Sequence, residues 1–129
     1  MADEHRIERI EHQMQKEVAA ILAARVADPS VAGVTVLWVK VAKDLSVADV
    51  YVSVFGDDEA VARGLRALDR CRPIVQRGIG ERIRLRKTPY IRFRLDKQYR
   101  SAVRVYDILK QLESEQGEKS ADQGNSGGD

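Results

Sequence analysis

Few side chains in this 129-residue chain are of types that make or break covalent bonds. The two histidines, His5 and His12, are seven residues apart at the beginning of a helical pattern and could share a face. A structural zinc site would need further Cys, His or carboxylate ligands at set spacing, and none completes it. The one cysteine, Cys71, sits between Arg70 and Arg72, and neighbouring positive charge can lower a thiol pKa. A nucleophilic cysteine also needs a base, and neither histidine belongs to its segment. The pattern favours a small packed residue at a helix junction. Asp57-Asp58-Glu59 reads as helix capping. Gly78-Ile79-Gly80 lacks the Lys-Ser/Thr ending of a phosphate loop and falls inside a helical pattern. No catalytic residue, metal site, cofactor or small-molecule substrate is expected.

The remaining chemistry is electrostatic. Residues 63–110 hold 15 Lys/Arg against four acids, a net +11. Residues 1–62 hold 6 against 11, a net −5, and residues 111–129 hold 1 against 5, a net −4. Such segregation suggests a face for nucleic acid or another polyanion. Arg72, Arg77, Arg84 and Arg86 are the first candidates for phosphate contact, with Arg82, Lys87, Arg92 and Arg94 in support. Each phosphate neutralised releases counterion, and the planar guanidinium grips phosphate with two bonds. Tyr90 is the one aromatic between Arg72 and Arg94 off the alternating core face. Recognition of the shape and backbone of structured RNA is therefore expected over stacking of unpaired bases. A module that docks an acidic protein, or an enzyme using Cys71, are the competing classes.

These arginines must be positioned by helices and strands that the apolar pattern outlines. Ile7, Ile10, Met14, Val18, Ile21 and Leu22 recur at spacings of three and four, one stripe of a helix. It should stop near Ala27, because Asp28 precedes Pro29 and is disfavoured in the helical region. Val34 to Val41 is rich in β-branched residues and predicts a strand. After the polar turn Lys43-Asp44-Leu45-Ser46, a second strand places Ala48, Val50, Val52 and Val54 on one face, against a helix. Asp49, Tyr51, Ser53 and Phe55 share the other face. Val61, Leu65 and Leu68 form a short helical stripe, and Val75, Ile79 and Ile83 form another. Between them lies Arg70-Cys71-Arg72-Pro73, so two helices meeting at a kink are expected, the second beginning near Pro73. Ile91, Phe93 and Leu95 alternate with Tyr90, Arg92 and Arg94 in a third strand, and Ala102, Val103, Tyr106 and Leu109 mark a last helix.

The order is helix, strand, strand, helix, kink, helix, strand, helix: a two-layer α+β domain with a three-stranded sheet. It should span residues 4–112, with a polar, disordered tail over 113–129. Seven aromatics leave the core to aliphatic side chains. No apolar run is long enough for a membrane span. The start lacks a basic-then-apolar secretory segment, and a single cysteine suits a reducing cytoplasm.

Several blocks resemble the ribosome-binding factor A family. They are Asp28-Pro29, Val34-Thr35-Val36, Val39 with Val41, Asp44-Leu45-Ser46, and Val50-Tyr51-Val52-Ser53-Val54. Leu85-Arg86, Pro89, Ile91, Phe93 and Asp96 continue the pattern, which covers about residues 4 to 112 in order. The resemblance implies a type II KH-like domain and a monomeric, cytoplasmic assembly factor. Such a factor binds the free, immature 30S subunit and its 16S rRNA precursor near the 5′-terminal helix. It promotes late 16S rRNA processing, is associated with cold adaptation and leaves before translation. The family carries an Ala-x-Gly interhelical kink, which falls here on Cys71-Arg72-Pro73, with cysteine in place of alanine and proline in place of glycine.

Overall fold

The computed structural model describes residues 4–124, with side chains to residue 116. The chain divides into two compact units, Met1–Asp96 and Lys97–Asp129.

In the first unit, helix α1 (Glu4–Arg25) buries Ile7, Ile10, Met14, Val18, Ile21 and Leu22, the six residues its spacing predicts. It ends two residues before the expected Ala27. Asp28 then caps a short 3-10 turn, Pro29–Val31, by accepting the Ser30 N–H at 2.9 Å. Strands β1 (Val34–Val41) and β2 (Val47–Val54) pair antiparallel. β3 (Tyr90–Leu95) runs parallel to β2, giving the order β1-β2-β3. The hairpin between β1 and β2 places Leu45 at φ 61, a left-handed conformation uncommon outside glycine. Asp44 supports it by accepting both the backbone N–H and the hydroxyl of Ser46. Phe55, expected to continue β2, lies beyond its end and is exposed.

Helix α2 corrects one expectation. It is a single helix, Asp58–Arg82, with Pro73 in its interior, where two helices were expected. Proline has no N–H for the Asp69 carbonyl, a loss of about 3 kcal/mol in a helix interior. Pro73 faces solvent, where water can serve that carbonyl, while Leu68, Cys71 and Val75 are buried on both sides of it. The continuous apolar stripe holds the helix through the proline.

Both helices lie on one face of the sheet. Val39, Val41, Ala48, Val50, Val52, Val54 and Ile91 meet them in one aliphatic core. No buried side-chain N or O among the described residues lacks a hydrogen-bond partner. The outer sheet edges are partly occupied by helix side chains. Along β1, Glu11 accepts the Val41 N–H and Gln15 donates to the Leu37 carbonyl. Leu37 sits at a register shift between Val36 and Trp38. Along β3, Gln76 of α2 donates to the Pro89 carbonyl and accepts the Ile91 N–H, both at 2.8 Å. Occupied edges suppress pairing with other chains.

The second unit is helix α3, Lys97–Gly124, which continues through residues that composition assigns to a tail. Residues 125–129 lie outside the described residues.

Candidate nucleic-acid interface

The eight basic residues singled out from the sequence fall into three environments. The first is the segment between α2 and β3. Arg84, Arg86 and Lys87 are exposed there, and none forms a salt bridge among the described residues. The segment returns close to the helix it leaves: a Cβ on Gly80 would lie 3.2 Å from Thr88 Oγ1. Pro89 at its end is fully buried, and Gln76 grips the backbone on either side of Tyr90. The charged residues are thus carried between two fixed ends.

The second environment is the body of α2. The Arg72 guanidinium lies 4.5 Å from the centroid of the Tyr90 ring, a cation–π contact that joins the helix to the start of β3. Arg77 is exposed and forms no salt bridge among the described residues. Arg82 differs, because its head group reaches Glu17 of α1 at 3.4 Å with both side chains half-buried. It ties α1 to α2 and is the least available of the eight. Arg66, which charge density alone does not single out, is exposed on α2 without a salt bridge. It precedes Arg77 by 11 residues, three helical turns, so helical spacing would have found it.

The third environment is the sheet face turned away from α1 and α2. Arg92 and Arg94 both grip Asp49, Arg92 at 2.7 and 3.0 Å and Arg94 at 3.2 Å. Burial pushes the Asp49 carboxyl up, but hydrogen bonds from Arg92 and then Arg94 outweigh it and hold the group below its ordinary value. Sequence reasoning missed the aromatic partners on this face. Trp38 and Tyr51 stack with ring centroids 4.1 Å apart and planes 3° from parallel.

Cys71 is buried, with its thiol toward the Leu68 carbonyl at 3.5 Å. Burial pushes the thiol pKa up, as suits a packed residue rather than a nucleophile. Arg70 pairs with Asp28 at 2.9 Å. No group of three or more potential metal ligands exists among the described residues, and none of their helices is long and apolar enough to cross a membrane. A largely apolar cleft of about 500 Å³ between the end of α1 and β1 includes Leu22, Val26, Val34 and Val36.

Comparison with known proteins adds an independent line. A family model described as ribosome-binding factor A matches residues 6–109. The crystal structure of ribosome-binding factor A from Thermus thermophilus is similar at 31% identity and TM-score 0.61, over 69% of this chain and 94% of that one. A solution NMR structure of a Thermotoga maritima protein assigned to ribosome binding factor A is similar at 31% identity and TM-score 0.64, over 73% and 90%. Thermus thermophilus ribosome binding factor A, as a homology model fitted into a cryo-EM map of a 30S complex, is similar at 32% identity and TM-score 0.55, over 67% and 90%.

Proposed function

This chain belongs to the ribosome-binding factor A family, and from that premise we propose that it is a non-enzymatic assembly factor of the small ribosomal subunit. In this reading it binds the free, immature 30S particle and its 16S rRNA precursor near the 5′-terminal helix. It acts as a cytoplasmic monomer and promotes late 16S rRNA processing. The relative fitted into a 30S complex supports the choice of particle. Residues 4–112 form the RNA-binding part in this reading, and 113–129 are a tail.

One observation carries the RNA contact. Arg72, Arg77, Arg84, Arg86 and Lys87 form no salt bridge among the described residues, whereas Arg82, Arg92 and Arg94 do. A cation without a protein carboxylate can neutralise phosphate without first breaking an ion pair. We therefore rank Arg84, Arg86 and Lys87 first, Arg72 and Arg77 with them, Arg92 and Arg94 second, and Arg82 last.

Binding of purified small subunits across a salt series tests the assignment. Replacing Arg84, Arg86 and Lys87 together by alanine should weaken binding and flatten its log–log salt slope by about one for each phosphate no longer neutralised. Unchanged affinity and slope would remove this surface from the reading.

A further inference from the structure

The sheet face turned away from α1 and α2 combines π surface with positive charge. Strand register lines its side chains into two rows. Trp38 pairs with Tyr51, and Tyr51 with Arg94; beside them, Lys40 pairs with Asp49, and Asp49 with Arg92. Tyr51 covers one face of the Trp38 indole, and the indole N–H donates to Asp96 at 3.0 Å. A side chain stacked and hydrogen-bonded in this way is held in place, yet Trp38 remains 43% exposed. Lys40 follows two residues along β1 on the same face. Arg94 lies beyond Tyr51 in the row of Trp38, and Arg92 lies in the next row, against the carboxylates Asp49 and Asp96. Both carboxylates already have partners on the face, Asp49 the two arginines and Asp96 the indole.

We propose that this face, through Trp38 stacked on Tyr51 with Arg94 and Arg92 on the strand beyond, binds an unpaired segment of RNA, with a base stacked on the open side of the indole. The proposal rests on the reading of the chain as RNA-binding. Base stacking on an aromatic side chain tolerates any base. Phosphates further along the strand can meet the guanidinium N–H groups of Arg94 and Arg92 that Asp49 does not use, without breaking those pairs. The ring and both guanidiniums are fixed before any ligand arrives, so little side-chain freedom is lost on binding. Charge complementarity selects the occupant: an acidic peptide would satisfy the cations and leave the indole face bare, whereas a nucleotide uses both. This surface would read single strands, while Arg84, Arg86 and Lys87 would take backbone phosphates of folded RNA.

Trp38 is the only tryptophan of the chain, so its emission reports this face alone. The full chain is titrated with a single-stranded oligouridylate of about ten nucleotides and with a blunt RNA duplex. The expected result is saturable quenching of Trp38, and its protection from acrylamide, by the single strand and not by the duplex. Trp38→Leu, which keeps an apolar side chain over Tyr51, should weaken single-strand binding roughly tenfold and leave duplex binding unchanged. The emission measurement stands on the native chain if that variant fails to fold. Single-strand binding with unchanged emission and acrylamide access, lost instead on Arg84→Ala with Arg86→Ala, overturns the proposal and leaves the RNA reading intact. Binding of neither RNA overturns both. Equal quenching by polyglutamate overturns the choice of occupant.

Discussion

Asp49 accepts hydrogen bonds from two guanidiniums while only 18% of its side chain is exposed, which makes it the electrostatic centre of the outer sheet face. A carboxyl whose folded pKa is lowered contributes stability that is full above its unfolded value of about 4 and is lost as pH falls through the folded value. Chemical denaturation between neutral pH and pH 3 should therefore show wild type losing more stability on acidification than Asp49→Asn. Equal losses would mean that Asp49 is held no more firmly than in the unfolded chain. Gly78 is constrained in another way, by volume. A Cβ there would lie 2.6 Å from Ile21 Cδ1 and 3.1 Å from its Cγ1, and Ile21 is fully buried between α1 and α2. Gly78→Ala should cost about 1–3 kcal/mol in urea denaturation, the range for overpacked cores. A neutral result would show that the helices separate freely at this crossing.

At the scale of elements, legibility followed the source of each signal. The buried stripe of α1 appears residue for residue in its spacing, because one helix against one core leaves a clean period. The bounds of β1 and the alternation of β2 and β3 were also legible. Continuity through Pro73 was not, since local chemistry argues for a break and the opposing term, burial on both sides, is tertiary. Pro73→Ala restores the missing N–H at an exposed position. It should raise the denaturation midpoint, with a gain of up to about 3 kcal/mol. No gain would show that the proline conformation is built into α2 packing. The grip of Gln76 on β3 was equally invisible, because nothing local marks a glutamine that will meet a strand edge 13 residues later. Gln76→Ala would leave the part-buried Ile91 N–H and Pro89 carbonyl without that side chain, at about 1–3 kcal/mol. Faster hydrogen exchange at Ile91 is the readout, and an unchanged rate would assign the edge to other partners.

For the whole molecule, charge is the property most visible in sequence and least informative about which residues are available. Fifteen basic residues between 63 and 110 announced a polyanion partner. Only ion pairing in the fold separates Arg82, Arg92 and Arg94 from those without a salt bridge. The row Trp38–Tyr51–Arg94 joins the acidic first half of the sequence to the basic half, and the register shift at Leu37 decides which β1 residue faces Tyr51. The acidic end poses the complementary question. Residues 113–129 carry five acids and one lysine, and like charge repels RNA over a Debye length of about 10 Å at 0.1 M salt. If these residues are a tail that makes no RNA contact, a chain ending at Leu112 should bind small subunits at least as tightly as the full chain. Any gain should be largest at low ionic strength and fade as salt rises, because the removed term is screened repulsion. Loss of affinity on truncation, independent of salt, would instead make the C-terminal segment part of the binding surface and move the boundary of the RNA-binding part beyond residue 112.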